Sequence, residues 1–264
     1  MNNVRGNFEK HNCVLGIILT LIALIVMEIP EMLLNMEIYE DPIYYSSALQ
    51  FALEPIYYGG FILMVPLASA IPYTNRFVAQ VQTGNIYYAI IRSGQKQYIK
   101  KELAMAFLHG GGCVALGFVI YAVFCNLFFI PSNPQVYESH ILPFDNTLYE
   151  QMYQVAGGLP MYGYITAMIF LSAGCWALVA ITTAIWLPDF LIAVTSPLII
   201  YYIWLWSGIR TVKWLPLSIG PTQAFNDGLT LPVLLGSLAQ YAVLMSCCIL
   251  LFRFGVKRRC RNAQ

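Results

Sequence analysis

The sequence predicts an all-α integral membrane protein with six transmembrane helices and both termini in the cytoplasm, and three observations lead there. Hydrophobic residues fill 59% of the 264 positions and charged residues only 10%, against roughly 25% charged in an average soluble domain. So few charges cannot coat a water-facing surface. Six apolar stretches follow one another, each near the ~20 residues a helix needs to cross hydrocarbon with its backbone hydrogen bonds satisfied internally. Lysine and arginine, finally, fall almost wholly between alternate stretches.

The first stretch, about 12–34, is the least regular, because its strictly apolar part, Cys13 to Met27, runs into Glu28, Pro30 and Glu31. No small-x-small cleavage site follows, so it reads as a span rather than a secretory signal. The second covers 55–71 and the third 103–130. The fourth, 161–186, and the fifth, 190–206, are joined by little more than Leu187-Pro188-Asp189, which makes them an antiparallel hairpin. Pro66 in the second span and Pro197 in the fifth each free a backbone carbonyl, so a kink is expected there. The sixth runs 229–252, and no internal repeat divides the chain, so 1–264 reads as one transmembrane domain. The outer connections are then about 35–54, 131–160 and 207–228. The second of these, rich in Pro and Gly, is placed to cap the outer mouth, and Trp214 to Ile219 in the third suits a segment dipping into the membrane edge.

Orientation follows from the cations. With the N-terminus inside, the inner segments hold Arg5, Lys10, Arg76, Arg92, Lys96, Lys100, Lys101, Arg253, Lys257, Arg258, Arg259 and Arg261, leaving only Arg210 and Lys213 outside. The acids Glu28, Glu31, Glu37, Glu40, Asp41, Glu54, Glu138, Asp145, Glu150 and Asp227 fall on or near the outer side. A net charge of +1 therefore hides a polarised molecule, and no nucleic-acid partner is expected. The seven cysteines lie in spans, at their ends or in the inner tail, which forms no disulfide framework; Cys247 and Cys248, being adjacent, point to different helix faces, and no metal is expected.

The inner segment 72–102 has the most local structure. Thr74 or Asn75 can cap a short helix whose Phe77, Val78 and Val81 share a stripe, and Gly84 is placed to stop it in a left-handed conformation. Ile86, Ile90 and Ile91 continue a second amphipathic turn, and Arg92-Ser93-Gly94 breaks the chain before the next helix begins near Gln95. One reading is an interfacial loop, anchored by Tyr87, Tyr88, Tyr98 and anionic lipid, with its apolar face on the membrane.

The run from Thr83-Gly84 through Tyr87, Arg92-Ser93-Gly94, Tyr98 and Lys101, ahead of a long third span, resembles the coupling loop of permease subunits in type-2 ABC transporters, the exporter class with six spans per half. The resemblance covers span count, topology and the basic inner segment. The family's acidic residue three to four positions before the Gly is absent, since Gln80 and Val81 stand there. The resemblance implies that Arg76, Gln80, Gly84, Tyr87, Arg92, Ser93, Gly94 and Tyr98 dock on an ATP-binding subunit. It implies also that a second six-helix permease half, identical or related, completes the transporter in a bacterial plasma membrane. The chain has no G-x-x-x-x-G-K-[ST] phosphate cradle, and Gly110-Gly111-Gly112 lacks the Lys and Ser/Thr, so ATP and Mg would belong to the partner and this chain would be no enzyme. Ala173, Ala177, Ala180 and Ala184 on the fourth span suit close helix contact, either with the second half or within one subunit.

Polar residues within spans are functional candidates by default. Glu28 and Glu31 at the outer end of the first span can meet a cationic substrate or sit in the interface. His109, beside three glycines, can line a path or bond a neighbouring backbone, and Asn126 lies near the outer end of the same helix. Intramembrane serine protease, metalloprotease and alcohol phosphotransferase chemistries lack their residues, and no inverted repeat or mid-membrane charge points to a secondary transporter. The sequence-level expectation is thus an exporter permease subunit, with a six-helix substrate-capture component of a vitamin importer or a non-transporting scaffold as alternatives.

Overall fold

The computed structural model describes residues 11–26, 48–57, 60–128, 152, 159–211 and 231–262. Among these the chain is helical, with no strand. The helices are α1 (His11–Val26), α2 (Ala48–Tyr57), α3 (Gly60–Gln82), α4 (Asn85–Ser93), α5 (Gln95–Phe128), α6 (Leu159–Trp186), α7 (Phe190–Thr211) and α8 (Leu231–Asn262). Three segments, Gln95–Phe128, Leu159–Trp186 and Leu234–Arg261, are long and apolar enough to cross a bilayer; His11–Val26 and Phe190–Ile203 are shorter apolar helices. Together with the composition, these make the chain a membrane protein.

Contacts fix the direction of each long helix. Gly16 of α1 abuts Cys113 of α5, and Thr20 abuts Gly117, so the two run parallel. Tyr73 and Ser69 of α3 meet Glu102 and Gly110 of α5 in reverse order. Gly110 and Asn126 of α5 likewise meet Ala177 and Tyr162 of α6. The α6–α7 hairpin expected from Leu187-Pro188-Asp189 is formed: Asp189 Oδ1 accepts the Ile192 amide at 3.0 Å, capping α7, and the Ser196 hydroxyl bonds that of Thr183 at 2.9 Å. Thr182 and Ile185 of α6 meet Cys248 and Gly255, so α8 runs parallel to α6. Within the described residues, α1, α3, α5, α6, α7 and α8 therefore traverse one bundle in alternating directions.

The centre of the bundle is α6, whose apolar window is 78% buried against 18% for α8 at the periphery. Ala173, Ala177, Ala180 and Ala184 are all fully enclosed, so the small-residue stripe serves packing within the subunit. The glycine run has the same use. A Cβ on Gly110 would lie 2.3 Å from Ala177 Cβ and 2.7 Å from the Ser69 carbonyl oxygen, so α3, α5 and α6 close on one another there. Outward faces remain apolar, with Val14, Ile18 and Ile22 on α1, Leu116, Val119 and Val123 on α5, and Val243, Leu250 and Leu251 on α8 all exposed. Lipid is the solvent such faces need.

Several boundaries differ from the sequence reading. The stretch expected to start a span at Pro55 belongs to α2, whose Leu49, Ala52, Leu53 and Ile56 recur at i, i+3, i+4, i+7 and are buried against α5 and α3. Ten residues reach only ~15 Å, too short to cross a bilayer, and α3 starts separately at Gly60. Nor does a separate helix start at Thr74 or Asn75: α3 continues through Pro66 and Pro72 to Gln82. Each proline removes only one amide from the helix ladder, and Ser69 Oγ adds a local bond to the Pro66 carbonyl at 3.0 Å. At the other end α8 carries the basic tail as helix to Asn262. The C-terminal part of the first expected span, with Glu28 and Glu31, lies outside the described residues, as do the outer loops beyond α2 and most of the third.

Candidate functional site

Every Lys and Arg of the described residues except Arg210 gathers at one end of the bundle. Long-range bonds tie that end together. Gln82 Nε2 donates to the Pro188 carbonyl at 2.7 Å, the Tyr87 hydroxyl to the Arg259 carbonyl at 3.5 Å, and Arg259 Nε to the Ile185 carbonyl at 2.6 Å. Phe77 and Phe252 rings pack 5.5 Å apart, and the Arg258 guanidinium lies 5.5 Å over the Trp186 ring. The inner segment, the hairpin turn and the C-terminal tail, far apart in sequence, share this one face.

Two glycines shape its most exposed element. Gly84 has φ 71 and ψ 2, the left-handed conformation expected of it, and closes α3 with its amide on the Val81 carbonyl. Gly94 has φ 79 and ψ 145, and its amide closes α4 on the Ile90 carbonyl at 2.8 Å. Between them α4 buries Ile86 and half-buries Tyr87, Ala89, Ile90 and Ser93, while Tyr88 (75%), Ile91 (82%) and Arg92 stand in the open. Ile91 therefore does not share the face of Ile86 and Ile90. Five residues along a helix turn the side chain by ~140°, so α4 presents apolar residues both to the bundle and away from it.

The expected docking residues divide accordingly. Arg92 and Gly94 are exposed; Arg76, Gln80, Gly84, Tyr87 and Ser93 are half-buried. Ser93 Oγ is engaged with the Ala89 carbonyl at 2.7 Å, and Gln80 Oε1 is enclosed without a hydrogen bond. Tyr98 is only 2% exposed and packs into the bundle, away from the surface of α4.

Tyr98 belongs instead to a buried polar cluster that the sequence reading missed. The Tyr73 hydroxyl of α3 donates to Glu102 Oε2 of α5 at 2.5 Å, Glu102 is itself buried, and the Tyr98 hydroxyl is enclosed beside it without a hydrogen bond. The Arg76 guanidinium lies 5.5 Å over the Tyr73 ring. These groups flank the first turns of α5, which at 34 residues (~51 Å) outruns the ~30 Å hydrocarbon core and carries Lys96, Lys100 and Lys101 clear of it. Burial first, and the Glu102 carboxylate second, hold both phenols above their ordinary value. Glu102 is the only acid in 72–102 and stands four residues after Tyr98. That spacing was a readable signal, hidden by the adjoining lysines.

Of the intramembrane candidates, the two that are described, His109 and Asn126, are not brought together. His109 Nδ1 lies 2.7 Å from the Met105 carbonyl, with its ring 5.5 Å from Tyr73, near the basic end. Asn126, ~25 Å further along α5, donates to the Ala122 carbonyl at 2.8 Å and the Tyr162 hydroxyl at 3.0 Å. Among the described residues no group of three or more His, Cys, Asp or Glu is placed to hold a metal. Comparison with family models, with curated proteins and with solved structures finds no match in any of the three.

Proposed function

We propose that the chain is the permease subunit of an ATP-driven exporter of the type-2 ABC class, crossing a bacterial plasma membrane six times with its basic end in the cytoplasm. The observation that carries the reading is α4. A nine-residue helix set between two glycines of positive φ turns Tyr88, Ile91 and Arg92 outward, while Ile86 and Tyr87 fasten it to the bundle. Such an element can take a push from a partner and pass it to α3 and α5, which it joins. The ATPase, with its ATP and Mg, is a separate chain docking on this surface, and Arg92 offers it a forked cationic contact. The second permease half packs on an outer face, because the α6 alanine stripe is occupied within the subunit.

The test is recovery from the native host. A Walker-containing subunit and a second six-helix half should co-purify with the chain, and Ile91→Asp or Arg92→Ala should weaken ATPase recovery about fivefold or more. Membrane levels should not change, since both side chains are exposed. Repeated recovery of a fully active lone monomer would end this reading.

A further inference from the structure

A cleft of about 450 Å³ opens at the basic end between the start of α5 and the last turns of α8, lined by Gln95, Phe254, Lys257, Cys260 and Arg261. Its chemistry is that of an anion site. Lys257 and Arg261 are both exposed, one helical turn apart on the same face. The neighbouring Arg258 and Arg259 are turned to Trp186 and Ile185, so the cleft receives the two cations not engaged there. Across from them Gln95 opens α5, where first-turn amides lack helical partners and the helix dipole is positive. Gln95 Nε2 is enclosed and has no hydrogen bond, a buried donor left over at the wall of the cleft. Of the two acids described at this end, Glu102 is buried and tied to Tyr73, so its charge is turned inward, and Asp189 in the hairpin turn is engaged in capping α7.

The surface leading out of the cleft identifies the anion's other half. Val243, Cys247, Leu250, Phe254, Lys257 and Arg261 recur at three- and four-residue steps on α8 and are all exposed, forming one stripe that is apolar for most of its length and cationic at its end. Phe254, 62% exposed, sits at the junction. A free phosphate would use only the cationic end. An amphiphile with a phosphate ester on a pair of acyl chains uses both. The geometry points to a binding site for an anionic phospholipid, its phosphate held by Lys257, Arg261 and the Gln95 amide, its chains lying along the Val243–Phe254 stripe. This inference needs only the membrane character of the chain and is independent of the transport reading.

The experiment is native mass spectrometry of the full chain released from vesicles containing equal parts phosphatidylglycerol and phosphatidylcholine. The wild type should retain phosphatidylglycerol in preference to phosphatidylcholine. Lys257→Gln/Arg261→Gln should lower that retention about tenfold or more, whereas Lys100→Gln/Arg253→Gln, which removes the same charge from the same end, should leave it within about twofold. Gln95→Leu, which keeps every charge, should lower it severalfold, and circular dichroism should show every variant folded. Equal loss in both double variants would reduce the effect to general surface charge and overturn the site. Displacement of the bound lipid by millimolar inorganic phosphate, or equal retention of both lipids by the wild type, would overturn the assignment to an anionic lipid.

Discussion

At the residue scale the Tyr73–Glu102 bond is the least replaceable polar contact described. Tyr73→Phe deprives a buried carboxylate of its phenolic donor and should cost about 1–3 kcal/mol, while Tyr88→Phe, whose hydroxyl is exposed, should stay within about 0.5 kcal/mol. Thermal unfolding of the two variants in one detergent would decide it; equal midpoints would mean that the cluster contributes nothing. The phenols give this a pH signature. Burial holds Tyr73 and Tyr98 protonated in the fold, whereas the unfolded chain releases those protons near pH ~10. The stability they contribute is complete below about pH 10 and is lost as pH rises beyond it, and Tyr73→Phe should flatten that loss.

At the scale of single elements, glycines separate two kinds of constraint. Gly84→Val must place a β-branched residue at positive φ, with about 1–2 kcal/mol of strain, so α4 should tilt or fray. In the transport reading, substrate-stimulated ATP hydrolysis and export should fall together while membrane insertion stays intact; normal export from a normally inserted variant would make α4 an interfacial anchor only. On α5 the constraint is space rather than conformation. Gly110→Ala drives a methyl into Ala177 and the Ser69 carbonyl, for an expected loss of about 1–3 kcal/mol, whereas at Gly112 nothing stands within 4 Å and Ala should gain up to ~1 kcal/mol in helix propensity. Urea or thermal titration of the pair in detergent measures the contrast, and similar values at both positions would mean that α3, α5 and α6 do not close together as described.

For the molecule as a whole the governing question is which side of the membrane the basic end faces. The cation count predicts the cytoplasm. Single cysteines placed in a cysteine-free background at Lys96 and Lys257, both exposed at that end, should react with an impermeant thiol reagent only after the membrane is opened. Cysteines at positions 40 and 145, outside the described residues, should react in intact cells. Labelling at position 96 from outside would reverse the topology, and with it the placement of α4 and of the lipid site.

Much of this was legible in one dimension. Hydropathy alone found the three helices long and apolar enough to cross a bilayer, the Leu187-Pro188-Asp189 hairpin followed from its shortness, and Gly84 and Gly94 announced the two breaks because only glycine adopts their φ readily. Read in one dimension, Ile91 groups with Ile86 and Ile90 on one apolar face, although its ~140° offset from Ile86 already sets it on the far side of α4, where it is exposed. What tertiary structure alone decided is which side of each helix meets protein. Lipid and protein interior are equally apolar, so hydropathy cannot tell whether the alanines of α6 face a neighbour in the same subunit or another chain, nor that α2 folds back into the bundle instead of crossing. The Tyr73–Glu102 and Tyr87–Arg259 bonds join residues 29 and 172 apart in the chain. Pairings at that range depend on how the helices pack together, and no local pattern of residues encodes them.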